Sequence, residues 1–197
     1  MFLLSYAALR TAMWVVIKVI LCFAVADVMV GVVHWLEDSY GSPSWPLIGA
    51  AIIAPNLVHH DKPRAFLANS YWKLVDVQAT IALVGIAVTA CLGWCSPELV
   101  LVLFLAVNAN VFHAWAHRSR SENGRLIAFL HDVKLLQGRA HHGRHHGGKR
   151  NTTYCAITAW MDPVLDRLGF FRVMERMIKA VTGVGPRIDP AVAARLA

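Results

Sequence analysis

Two histidine-rich strings mark the ends of the stretch Phe112 to Cys155, which holds seven of the chain's ten histidines. One is Phe112-His113-Ala114-Trp115-Ala116-His117; the other is His141-His142-Gly143-Arg144-His145-His146. On a helix, His113 and His117 are four apart and project from one face. His142, His145 and His146 form an HxxHH pattern with offsets of three and four, so one turn is expected to present three imidazoles together. Neutral imidazole is the usual protein ligand for iron, zinc and copper. A lone histidine is more often a satisfied core residue, but five at helical ligand spacing point to a metal site.

Further donors lie upstream. His34 shares one helix face with Asp27, Gly31 and Asp38, at spacings of four, three and four. A carboxylate inside an apolar span is costly and normally faces the bundle interior with a partner, so this stripe makes His34 a ligand rather than an interfacial cap. His59 and His60 are adjacent and point about 100° apart on a helix, so each would serve a different metal or one would support the other. The set His34, His59, His60, His113, His117, His142, His145 and His146 gives eight imidazoles, more than the four ligands of a structural zinc. It suits two metals with open positions for oxygen and water. A nitrogen-rich set with carboxylates nearby is compatible with iron, and ligand type alone leaves zinc open.

The elements that must position these residues read as membrane helices. The chain is 57% hydrophobic and 16% charged, with mean hydropathy +0.49, and its 197 residues favour one domain, 1–197. The net charge of +7 is carried by residues beside apolar spans, where anionic lipid headgroups are a nearer partner than nucleic acid. None of the four cysteines forms a CxxC pair, and they read as small hydrophobes. The first span is expected from Ala12 to Trp35, as an anchor rather than a cleaved signal. Leu47 to Val58 is too short to cross and contains Pro55, which suits a re-entrant or interfacial helix. Ala65 to Lys73 is expected as a short interfacial helix, followed by spans at Leu74 to Trp94 and Pro97 to Val111.

The chain turns basic and polar after His117, through Arg118, Arg120, Arg125, Lys134, Arg139, Arg144, Lys149 and Arg150. Within it, Leu126, Phe129, Leu130, Val133 and Leu136 recur as an amphipathic surface helix, and Trp160 to Thr182 reads as a surface helix pair. The connection Cys95-Ser96-Pro97-Glu98 carries no basic residue, which places the histidine clusters on the cytoplasmic side. The fold class expected is therefore an all-α membrane protein. It has three to four transmembrane helices, a re-entrant or interfacial helix, and a cytoplasmic helical His-rich cap.

Six ordered strings carry a family resemblance. They are His34-Trp35-Leu36-Glu37-Asp38-Ser39-Tyr40-Gly41, Pro55-Asn56-Leu57-Val58-His59-His60, and His113-Ala114-Trp115-Ala116-His117, then His142-Gly143-Arg144-His145-His146, Asn151-Thr152-Thr153-Tyr154-Cys155 and Thr182-Gly183-Val184-Gly185-Pro186-Arg187. Over roughly residues 24 to 190 the chain resembles the lipid desaturases, the family of plasmanylethanolamine desaturases and the plant chloroplast desaturase acting on phosphatidylglycerol. The resemblance implies a multi-pass, di-iron, O2-dependent enzyme that takes two hydrogens from an acyl or 1-O-alkyl chain of a membrane phospholipid. The eight histidines would be its metal ligands. Asp38 and Asn110 would be its candidate catalytic residues, with Asp38 orienting a ligand or reaching a metal through water.

No nicotinamide-, flavin- or haem-binding sequence is present, so a separate electron donor of cytochrome b5 or ferredoxin type is expected. Asn69, Lys134 and Arg150 stand where the plasmalogen branch has histidine, which bears on vinyl-ether formation and leaves the ligands untouched. His141 is at best a reserve ligand, and His131 reads as a surface residue. Rival readings are a lipid hydroxylase with the same ligands, and a non-enzymatic metal-binding or transport protein. A hydrolytic zinc enzyme would want an HExxH general base, which the chain lacks.

Overall fold

The structure is a computed structural model that describes residues 6–147 and 150–188; Lys149 and the end of the family resemblance lie outside that range. The described residues are helical with no strand among them. The first helix, α1, runs Tyr6–Ser39. At 1.5 Å per residue it is about 51 Å long, well past the span expected from Ala12 to Trp35. Hydropathy stops at the polar residues, but the backbone continues until Gly41-Ser42-Pro43 ends it. The single interior glycine, Gly31, lies where the loop after residue 150 packs, since a Cβ there would sit 3.0 Å from Cys155 Sγ.

A short helix, one crossing and one bent pair follow. Residues Gly49–Ile53 make a π-helical turn that runs into α2, Ala54–Asp61, a unit too short to cross a bilayer. The interfacial helix expected from Ala65 to Lys73 is only a 3-10 turn at Ala65–Ala68. Ser70 stops it by capping the next helix, its hydroxyl accepting from Lys73 N at 3.3 Å, a contact typically worth about 1 kcal/mol. That helix, α3, spans Tyr71–Cys91. Ser96 caps α4, Pro97–Val107, and α5 follows as Ala109–His117. The last two are bent by 41° where they join at Asn108. Asn108 turns its amide back onto Phe104 O at 2.9 Å and accepts from the Tyr71 hydroxyl at 3.1 Å.

Among the described residues two helices are long and apolar enough to cross a membrane, α1 and α3, and the bent pair makes a third if it counts as one span. Three to four were expected; the described residues give two, or three with the bent pair taken as one span. The ion pair Lys18–Glu98, at 2.7 Å, ties α1 to the start of α4 at the end of the bundle remote from the histidines. Along α1, Lys18 and Asp38 are about 30 Å apart, the thickness of a hydrocarbon core.

The remaining helices form a cap at the histidine end: α6 (Arg120–Asp132), α7 (Arg139–His146), α8 (Asp162–Arg167) and α9 (Phe170–Thr182). A capping box between Ser119 and Glu122 starts α6, and Gly124, at φ +71°, kinks it. Leu126, Phe129 and Val133 are exposed as expected of a surface helix. Leu136 departs from that stripe: it follows the helix and is buried with Ala26, Leu105, Ala109 and Ile157. A second core joins Trp35 of α1 to Tyr154, Cys155, Leu165 and Phe171 of the cap. Burial, then the Asp27 and Asp162 carboxylates, push the Cys155 thiol far above its usual range, so it behaves as a small hydrophobe.

Candidate metal centre

The eight histidines and Asp38 converge at the base of the cap as two adjacent groups. His59, His113, His117, His142 and His146 each offer a ligand atom within 4.8 Å of the others. His34, Asp38, His60 and His145 do the same. A metal with ligands at about 2.1 Å holds neighbouring donors roughly 3 Å apart and opposite ones roughly 4.2 Å apart, which is the scale seen here.

Helix geometry explains the division. His113 and His117 face inward from α5, and their Nε2 atoms are 3.2 Å apart. On α7, His142 and His146 are four apart and share a face, with Nε2 atoms 3.0 Å from each other; His142 Nε2 also lies 2.8 Å from His113 Nε2. His145 is about 100° round the same helix from His146, so it joins the other group. The HxxHH turn therefore splits two and one, instead of presenting three imidazoles to one ion. His59 and His60, at the end of α2, divide in the same way.

The ring nitrogens fit metal ligation. His34 Nδ1 donates to Tyr154 O at 3.0 Å and His145 Nδ1 to Thr152 O at 2.9 Å. Each bond fixes the tautomer in which Nε2 turns a lone pair toward Asp38. The carboxylate lies 3.5 Å from His34 Nε2, 3.3 Å from His60 Nε2 and 3.2 Å from His145 Nε2. Asn56 donates to Asp38 Oδ1 at 2.6 Å. Both ring nitrogens of His59, His34 Nε2 and Asp38 Oδ2 are buried without a hydrogen-bond partner. Neighbouring Nε2 atoms cannot all be satisfied by protons, whereas a cation between them satisfies all at once. Burial first, and then crowding by neighbouring imidazoles, hold His59, His142 and His146 below the usual histidine range. The neutral ring is the form that binds metal.

Other sequence candidates fall outside both groups. Asp27, expected on the ligand stripe, accepts instead from Ile157 N at 3.0 Å, Thr158 N at 3.1 Å and Thr158 Oγ1 at 2.6 Å. It anchors the loop whose carbonyls orient His34 and His145. His141 has both ring nitrogens engaged, Nε2 donating to Asp162 Oδ2 at 2.7 Å and Nδ1 accepting from Arg144. His131 is half-buried on α6 and belongs to neither group. His131→Ala is expected to leave metal content and activity within about twofold of the parent, since it breaks no ligand contact; metal analysis beside a lipid assay checks this.

An apolar cavity of about 270 Å3 ends on the site. Its walls come mostly from α1, α3 and the α4–α5 pair, and His34 and His113, one from each group, are buried members of its lining. At its rim Ile81, Val33 and Met29 are exposed on the outer face of the spans. A second, more polar cavity of about 180 Å3, with Asn69, Lys73 and Asp76 in its wall, shares Glu37, Asn56, Gln78, Asn110 and His113 with the first. Asn110 faces both while donating to Leu74 O at 3.1 Å.

Apolar helices gathered around paired histidine groups define a membrane protein with a site able to hold metal at one end of its bundle. The lipid desaturase domain matches residues 23–189, and the chain belongs to that family. The chain is 33% identical over 184 residues to the plasmanylethanolamine desaturase of Myxococcus xanthus, covering 89% of this chain and 65% of that protein. It is 33% identical over 172 residues to the chloroplastic fatty acid desaturase 4-like 2 of Arabidopsis thaliana, covering 84% of this chain and 60% of that one. With plasmanylethanolamine desaturase 1 of Mus musculus it shares 28% over 187 residues, 89% of this chain and 69% of that one. The chain thus spans less than two thirds of the first two relatives. No solved structure matches.

Proposed function

We propose that this chain is a multi-pass, di-iron phospholipid desaturase that introduces a double bond into an acyl or 1-O-alkyl chain. The observation that carries the reading is an apolar cavity lined both by one buried histidine from each ligand group and by Met29, Val33 and Ile81, which are exposed on the spans. Two irons, when bound, supply the O2 activation that an unactivated C–H bond demands. Each turnover takes two hydrogens from the chain and two electrons with two protons from a donor, and reduces one O2 to two waters.

The protein's own residues hold, orient and exclude. His59, His113, His117, His142 and His146 hold one ion; His34, Asp38, His60 and His145 hold the other. The Tyr154 and Thr152 carbonyls keep His34 and His145 in the ligating tautomer. Asn56 holds the Asp38 carboxylate, and Asn110 faces the cavity within a turn of His113. The walls from Val30 to Val107 keep water from the chain and fix which methylene lies beside the metals, so substrate geometry selects the bond. His117 and His146 are the half-buried members of their group, on the cytoplasmic side in this reading. Arg64, which donates to His117 O at 2.8 Å, is ion-paired with Glu122 at 2.6 Å; Arg139 stands near the same edge, and the chain's net charge of +7 suits an acidic donor of cytochrome b5 or ferredoxin type.

The test is lipid mass spectrometry of a host expressing the chain, with metal analysis of the purified protein. New chain unsaturation or an acid-labile vinyl ether, with close to two irons per chain, supports the reading. A hydroxylated chain selects the hydroxylase instead, and one tight zinc without iron removes oxidative chemistry altogether. The cavity makes its own prediction. Ala82, on α3, lines it, and Ala82→Trp fills the passage without touching a ligand. Product should fall by about tenfold or more while bound metal is unchanged.

A further inference from the structure

The string Thr182 to Arg187 has no part in the site described above, yet it reaches the helix that carries two of the ligands. Helix α1 ends at Ser39, with His34 and Asp38 in its last two turns. A helix end leaves its last four carbonyls without partners in the helix. Leu36 O accepts from Tyr40 N at 2.9 Å and Gly41 N at 3.0 Å. The other three all turn to Arg187. Its Nη2 donates to Glu37 O at 3.0 Å and Asp38 O at 2.6 Å, and its backbone N donates to Ser39 O at 2.7 Å. Its Nη1 reaches past the end to Gly41 O at 2.7 Å. The turn is tight enough there that a Cβ on Gly41 would lie 2.6 Å from Glu37 O.

We propose that Arg187 is the positioning residue of the ligand group that contains Asp38. It closes the carbonyl end of α1, and so fixes the height and rotation of Asp38 and His34 against His60 and His145. Its recorded bonds run to backbone carbonyls, not to an imidazole or to the Asp38 carboxylate. A planar guanidinium can serve several converging carbonyls at once and carries the charge that complements a helix C-terminus; a lysine ammonium can meet only part of that pattern. The five-imidazole group draws its ligands from α2, α5 and α7, with none from α1. The consequence is selective: loss of Arg187 loosens one group and spares the other.

This rests on the reading that both groups hold metal, and the wild-type arm of the experiment tests that reading by itself. Full-length protein in nanodiscs, stripped of metal, is titrated with cobalt(II) and followed by its visible spectrum. Wild type should take two ions; fewer than two sinks the metal reading and this proposal with it. Arg187→Ala should bind the first cobalt as wild type does and the second about tenfold or more weakly, the usual effect of losing a group that orients ligands. Arg187→Lys should recover part of that loss. Two wild-type affinities in Arg187→Ala would overturn the proposal. So would equal weakening of both sites, which would make Arg187 a general prop of the fold.

Discussion

His142→Ala should leave no measurable chain unsaturation, a loss of more than about a hundredfold, in protein that still reaches the membrane. His142 is 1% exposed and sits at the middle of its group, with ring centroids 4.3 Å from His113, 4.5 Å from His117 and 4.7 Å from His146. Alanine there removes a donor whose ring faces three of the group's other imidazoles and leaves four of the five ligands. The spans α1, α3, α4 and α5 draw nothing from α7 for their insertion, so extraction with the membrane fraction should be normal. Lipid mass spectrometry and iron analysis on the same preparation check the result. A variant retaining a tenth of parental product would show that the group tolerates a missing ligand and that the ligand set is wrongly drawn.

Asp38→Asn should produce protein with one iron instead of two and no product. Among the described residues Asp38 is the only carboxylate in either group, so asparagine removes that group's anionic donor while keeping its volume. Its side chain is 8% exposed, and Asn56 can still hydrogen-bond an amide there. Burying a neutral amide is cheaper than burying a charge, so the thermal midpoint without metal should hold or rise even as metal is lost. Iron per chain, read beside the melting curve, separates this from misfolding. Two irons and parental activity would place the carboxylate outside the chemistry.

Much of the site could be read from spacing because helix period does the sorting. His113 with His117, and His142 with His146, are pairs four apart, and such pairs share a face whatever the rest of the fold does. The same arithmetic puts His145 and His60 on other faces, but which group they join depends on where α2 and α7 lie, and that is tertiary. Asp27 shows the limit from the other side. It has the right face and the right chemistry for a ligand stripe, yet its partners are the backbone amides of Ile157 and Thr158 and the Thr158 hydroxyl, more than a hundred residues on. Side chains announce their chemistry in a sequence, whereas backbone donors at a distant loop carry no letter of their own. Arg187 stands in one of the resemblance strings, but its role is illegible for the same reason, since the carbonyls of Glu37, Asp38 and Ser39 that it serves belong to every residue type alike. The boundaries missed near Lys73 and Leu136 have local causes. Ser70 starts the helix at Tyr71, three residues earlier than hydropathy suggests, and Leu136 leaves the surface stripe because α6 stops at Asp132.

The apolar cavity's rim at Met29, Val33 and Ile81 lies on the outer surface of the spans. If the chain acts on a phospholipid as proposed, the lipid would arrive by sideways diffusion within the leaflet without crossing water. The quantity that sets occupancy is then the substrate's mole fraction in the bilayer, not its amount per litre. Diluting it with inert lipid at constant total substrate should slow turnover in proportion, while changing the buffer volume should leave the rate alone.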